Sequence, residues 1–147
     1  MVAQVLEVNR EVPDRRRMFI GARMNGQRVV KVLLDTGAAY NVISFDMAKW
    51  NGMNHMKPSN VQLTGFGGHG VIVKGEWSCN LGFGPLSEER ETKFIVVDRL
   101  EYPIIGVGTI GHFQYSLNYA QGTVEVDGLP QYKTACIEMV DATIHLN

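Results

Sequence analysis

The chain predicts an all-β fold, and three observations carry that prediction. Its sixteen glycines fall mostly between short β-branched and aromatic runs, the spacing of short strands and tight turns rather than of helices. Asn25-Gly26 separates two apolar runs, and both residues tolerate the positive φ of a type I′ hairpin turn. The length, 147 residues, supplies one hydrophobic core and is too short for two.

Each element follows in order. Residues 1–16 are polar, carry Pro13 and run into the charge cluster Asp14-Arg15-Arg16-Arg17, so they read as a leader or linker. The apolar runs 18–24 and 27–34 form the Asn-Gly hairpin, which delivers Asp35 to a strand end. Further strands are expected at 41–44, 61–64, 71–81, 93–97 and 123–126, with a short helix or turn at 45–51. The stretch 84–91 is an acidic, polar hairpin loop to which no function is assigned. Beyond Leu129-Pro130, residues 135–146 alternate weakly and suit a terminal strand.

Composition excludes several classes of function. A formal net charge of −1 leaves no basic footprint for nucleic acid and no polybasic patch for a membrane. No apolar run approaches the ~20 residues needed to cross a bilayer, and the N-terminus lacks a signal-peptide core, so the expected location is intracellular, in the cytoplasm. Cys79 and Cys136 lack metal-ligand spacing and read as two reduced thiols. His55, His112 and His145 show no ligand spacing either, and His69 reads as a solvent-facing residue. No metal and no cofactor are expected.

The chemistry concentrates at Val32-Leu33-Leu34-Asp35-Thr36-Gly37-Ala38. An acidic residue directly after a buried apolar strand needs a reason, because desolvating an unpaired carboxylate costs several kcal/mol. A shared proton, a metal or a fixed hydrogen-bond cage would supply one. Thr36 can donate a hydroxyl, and Gly37 lets the backbone turn sharply and a ligand approach without a Cβ in the way.

From Val32 to Ser44 the chain resembles the active-site motif of retropepsin-like aspartic proteases, the family that includes the proteases of retroviruses and LTR retrotransposons. Two further features of that family follow in order. Gly65-Phe66-Gly67-Gly68-His69-Gly70 resembles the glycine-rich tip of a flap hairpin. Tyr102-Pro103-Ile104-Ile105-Gly106 resembles the apolar segment that packs behind the catalytic turn. The resemblance covers about 17–126 and implies a protease domain at 17–128, flanked by the leader or linker and by a tail, 129–147, that is a candidate dimer-interface strand.

The resemblance implies a half-barrel that pairs as a symmetric homodimer, because two carboxylates are required and Asp-Thr-Gly occurs once. Two Asp35 side chains would share one proton; the ionised member would take a proton from water while the protonated member polarises the scissile carbonyl. It further implies that Thr36 bonds across the axis, that Gly37, Ala38 and Ala39 line the substrate path, and that Phe66, Gly67 and Gly68 cover an extended polypeptide. Many viral relatives carry an acid at the place of Ala39 and an arginine at the place of Val107, an ion pair that braces the dimer; both partners are missing together here. Retrotransposon and cellular relatives often place Asp or Asn after the glycine of the later segment, and this chain has Gly106-Val107-Gly108-Thr109-Ile110. The leading expectation is an aspartic endopeptidase processing a retroelement-type polyprotein. The competing ones are a non-catalytic retropepsin-like dimerisation or peptide-binding module and, last, a small ligand-binding β-barrel.

Overall fold

The computed structural model describes residues 2–4, 16–26, 29–35, 37–64, 70–83, 89–112, 116–118, 123–125 and 138–141. Within these, strands dominate, as the glycine spacing predicts. β2 (Arg16–Met24) and β3 (Val29–Leu34) pair antiparallel, with Arg23 opposite Val29. The turn between them has φ of 53° at Asn25 and 67° at Gly26, the left-handed values that Asn and Gly adopt at least cost. Asn25 is also tied to the body of the fold: its N–H donates to Asn80 C=O at 2.8 Å, and its Oδ1 accepts from Asn80 N–H at 2.9 Å.

β4 (Val42–Ser44) runs into α1 (Phe45–Trp50), whose N-cap Ser44 accepts from Met47 N–H at 3.1 Å. Such a cap satisfies one of the orphan donors of a helix's first turn. β7 (Val73–Phe83) and β8 (Arg90–Val97) form the long antiparallel pair, and β9 (Ile104–Ile105) lies between β3 and β4. The large sheet thus runs from β2 through β3, β9, β4 and β8 to β7. β7 returns to pair with β2 through Ala22 and Phe83, so the sheet closes on itself around the core.

The alternation in β7 decides what fills that ring. Trp77, Cys79, Leu81 and Phe83 are buried, while Ser78 and Asn80 face solvent, the period of 2 that a half-buried strand requires. They meet Phe94, Met24, Ile43 and Ile105 in the principal cluster. Each fully buried side chain of this size contributes roughly 1.5–3 kcal/mol of transfer free energy. A second cluster joins Phe19, Leu33, Ala38, Val42, Leu63 and Ile104. It extends from beneath the Asp35 turn to β5 (Gln62–Thr64), so turn and hairpin share an apolar floor.

Several details depart from the sequence reading. The loop expected at 84–91 ends earlier, because Arg90 and Glu91 already belong to β8, opposite Leu81 and Asn80. The strand expected at 71–81 divides into β6 (Gly70–Val71) and β7, with an irregular register between Val73 and Gly75. α2 (Val107–His112) was not expected, since Gly108 and Gly111 lower its intrinsic helix propensity; it is held by burial of Ile110 and by the Ile110 N–H to Gly106 C=O bond at 3.1 Å. Four other strands complete the description. β1 (Val2–Gln4) pairs parallel with β5, β10 (Ser116–Asn118) pairs with β11 (Thr123–Glu125), and β12 (Glu138–Asp141) pairs antiparallel with β2. Among the described residues, no helix is long and apolar enough to cross a membrane.

Candidate active site

Asp35 leaves the end of β3 partly exposed, with Val32, Leu33 and Leu34 buried before it. Its carboxylate is positioned locally: Oδ1 accepts from the Gly37 N–H at 2.9 Å, and its backbone C=O accepts from the Ala38 N–H at 3.1 Å. A Cβ on Gly37 would come within 3.2 Å of Oδ1, closer than most such contacts, so glycine suits this bond. Gly37 and Ala39 are exposed. Ala38 is fully buried, and its C=O accepts from the Val107 N–H at 2.9 Å. It therefore serves as the floor of the turn, with both backbone groups bonded inside the chain.

The segment behind the turn closes on it from both sides. Pro103 C=O accepts from Leu33 N–H at 2.8 Å, and Ile105 C=O accepts from Asp35 N–H at 2.9 Å. Gly106 lies so near that a Cβ there would meet Ala38 C=O and Tyr40 C=O oxygens at 2.8 Å. Glycine is obligatory at such a distance, because both obstructions are backbone. The apolar-apolar-Gly segment read from the sequence thus sits where that reading put it.

Sequence reasoning missed one side chain in this region, Asn41. Its Oδ1 accepts from Gly106 N–H at 2.8 Å, and its Nδ2 donates to Lys93 C=O at 2.9 Å and to Thr109 Oγ1 at 2.6 Å. The available signal was an amide at the mouth of an apolar strand, Asn41 before Val42-Ile43, where burial demands partners. Asn41 and Tyr40 line a cavity of about 390 Å³ with Ala39, Lys93, Thr109 and His112.

The flap expectation falls partly within the described residues. β5 and β6 form an antiparallel pair with Leu63 opposite Val71 and Thr64 opposite Gly70. The tip residues Phe66, Gly67 and Gly68, and also Thr36 of the turn, lie outside the described residues. A groove of about 380 Å³ follows the hairpin along Val61, Leu63, Gly70, Val71 and Val73. Another cleft, of about 260 Å³ beside His55, Lys57 and Trp77, contains none of the predicted site residues.

Two other chemistries can be weighed. Burial, with a smaller contribution from the Glu89 charge, pushes the Cys79 thiol up to about 12. At neutral pH it stays a thiol, unsuited to nucleophilic attack. Among the described residues, no group of three His, Cys, Asp or Glu side chains is placed to hold a metal.

Comparison with known proteins bears on the fold and the family. The fold is similar to the retroviral protease-like domain of Ddi1 from Leishmania major, with a TM-score of 0.61 and 12% identity over 84% of this chain and 93% of that one. It is similar to EIAV protease in complex with the inhibitor HBY-793, with a TM-score of 0.54 and 22% identity over 69% of this chain and 92% of that one. A retropepsin-like aspartic protease from Rickettsia conorii gives a TM-score of 0.54 and 20% identity over 69% of this chain and 76% of that one. No curated protein matches the chain. These likenesses establish the retropepsin-like all-β fold. Residues 20–111 match the aspartyl protease family. That match takes in the hairpin, the Asp35 turn and the segment behind it, over more than half of the chain, and the protein belongs to the aspartyl protease family.

Proposed function

We propose that the chain is an aspartic endopeptidase that works as a homodimer, with Asp35 from each subunit forming the catalytic pair. The observation that carries this is the Asp35 turn: a carboxylate at the end of a buried strand, aimed by the Gly37 N–H and backed by Ile105 and Gly106. One Asp-Thr-Gly per chain supplies half of the carboxylates needed. In the dimer one Asp35 is ionised and takes a proton from the water between the pair. The other, protonated, donates a hydrogen bond to the scissile carbonyl, so water adds and a tetrahedral intermediate forms without a covalent enzyme adduct.

Thr36 ties the two turns across the axis, and exposed Gly37 and Ala39 present backbone to an extended polypeptide. Phe66, Gly67 and Gly68 cover it from the flap, excluding water so that electrostatic stabilisation is strong. The catalytic domain is 17–128, with 1–16 and 129–147 as flanking segments that contribute β1 and β12. The tail is a candidate for the dimer interface. A retroelement-type polyprotein is the substrate class that fits this family of sites, and no metal or cofactor enters the reaction.

The test is incubation of the purified protein with a peptide library from acidic to neutral pH, beside Asp35→Asn. Cleavage by the wild type alone, inhibited by a statine-type mimic of the tetrahedral intermediate, is the expected result. Cleavage that survives in Asp35→Asn removes Asp35 from the mechanism. Absence of both cleavage and mimic binding in the wild type favours a non-catalytic dimerisation or peptide-binding module.

A further inference from the structure

We infer that Asn41 is a positioning residue for Asp35; the inference rests on the protease reading above. Its amide has three hydrogen bonds of matched polarity, with the oxygen receiving Gly106 N–H and the nitrogen donating to Lys93 C=O and Thr109 Oγ1. Turned over, the amide would set its NH₂ against an N–H and its oxygen against a carbonyl, so the orientation is determined by its partners. The Asn41 backbone is held as well, because its C=O accepts from Ile95 N–H at 2.8 Å. One side chain therefore joins β8, α2 and the segment behind the turn.

The connection to Asp35 is a single peptide group. Ile105 C=O and Gly106 N–H belong to one planar unit. Its oxygen accepts from Asp35 N–H at 2.9 Å, and its N–H donates to Asn41 Oδ1 at 2.8 Å. Rotation of that unit moves both ends together, so Asn41 sets the direction of the carbonyl that holds Asp35. Hydrogen bonds in such a line also polarise one another and strengthen together. Nothing at Gly106 can replace the lost partner, since a Cβ there meets backbone oxygens at 2.8 Å. Ala39 is not the source of a substitute tie either, nor is Val107: both are exposed and neither side chain has a polar atom.

The experiment compares Asn41→Ala, Asn41→Asp and Thr109→Val in the full chain. kcat and KM are measured where specific activity no longer depends on protein concentration, so dimer dissociation does not enter. Asn41→Ala should lose about tenfold to a hundredfold in kcat with KM changed less than about twofold, the signature of a misplaced catalytic group. Asn41→Asp keeps an acceptor for Gly106 N–H but sets its other oxygen against Lys93 C=O, so it should recover part of the kcat lost in Asn41→Ala. Thr109→Val leaves that bond intact and should stay within about threefold of the wild type. Undiminished kcat in Asn41→Ala, or Asn41→Asp falling as far as Asn41→Ala, overturns the inference.

Should Asn41→Ala not fold, amide exchange in the wild type and Asn41→Asp decides. The Asp35 and Gly106 amides should show matching protection, and clearly unequal protection contradicts the shared peptide link. A wild type that neither cleaves peptides nor binds the statine-type mimic overturns the protease reading and this inference with it. An active wild type beside an unimpaired Asn41→Ala overturns this inference alone.

Discussion

The Asp35 turn and the β5–β6 hairpin lie over one apolar cluster, yet they are built in opposite ways. The turn is held by bonds from distant parts of the chain: Ile105, Gly106 and Val107 grip 35–41 from behind, and Asn41 adds β8 and α2. Among the described residues the hairpin legs share two registered pairs, and β6 is two residues long. A region with many mutually dependent bonds opens only with the fold, whereas one with few can open on its own. The difference matches the two jobs of the proposed enzyme. A catalytic carboxylate must stay in place through every turnover, and a cover must lift for a polypeptide to enter.

Substitutions in the two regions should therefore have different consequences, and the largest effect belongs to the turn. Asp35→Asn keeps the shape of a protonated Asp but cannot accept the proton from water. It should fold, dimerise and lose cleavage by on the order of 10³-fold or more, given what general acid–base groups contribute. Peptide turnover beside circular dichroism separates chemistry from folding; loss of the fold with the activity would leave Asp35 a structural role.

Next in size is a steric contrast between glycines. A methyl group at Gly106 meets Ala38 and Tyr40 backbone oxygens at 2.8 Å, while one at Gly70 meets nothing within 4 Å. Gly106→Ala should cost about 1–3 kcal/mol of stability, and Gly70→Ala should stay within about 0.5 kcal/mol. Urea midpoints at constant slope read both. Equal losses would erase the distinction between a clamped turn and an open hairpin.

A smaller, purely kinetic effect is expected at the flap tip. Gly68→Val should slow turnover while leaving the urea midpoint nearly unchanged, because in the proposed cover a β-branched side chain obstructs the close approach of backbone to substrate, a contact the free protein does not make. Unchanged kinetics would move the cover to another segment. Smallest of all is the difference in backbone protection between the intact regions: amides of Asp35 and Val107 should exchange more slowly than those of Thr64 and Val71, as measured by hydrogen exchange resolved to single residues. The reverse order would contradict the bonding pattern.

Legibility in the sequence followed the range of the interactions. The hairpin at Asn25-Gly26 was readable because its cause is local, two adjacent residues that accept positive φ. The place of Asp35 at the end of β3 was readable because the apolar run Val32-Leu33-Leu34 stops there, and a carboxylate in such a place is a candidate site. Gly106 was readable by resemblance, and the structure supplies the reason in its contact with Ala38 and Tyr40. The partners of Asn41 were not readable, since Lys93, Gly106 and Thr109 lie 52, 65 and 68 residues away in the chain. α2 was hidden by its glycines, and the pairings of β1 with β5 and of β12 with β2 depend on contacts that no local pattern announces. Arg90 and Glu91 looked like loop because they are charged, but β8 pairs them as backbone.

The central claim, that two Asp35 carboxylates from two chains make one site, is tested most directly by mixing subunits. Wild-type protein is held at a fixed concentration and equilibrated with a tenfold excess of Asp35→Asn, at a total concentration well above the dimer dissociation constant. Random pairing leaves about one wild-type subunit in eleven with a wild-type partner. Cleavage should fall to about a tenth of its starting rate, because a mixed dimer holds one carboxylate and cannot share a proton across the axis. A rate that stays at its starting value would contradict the account, placing the complete catalytic machinery within a single chain.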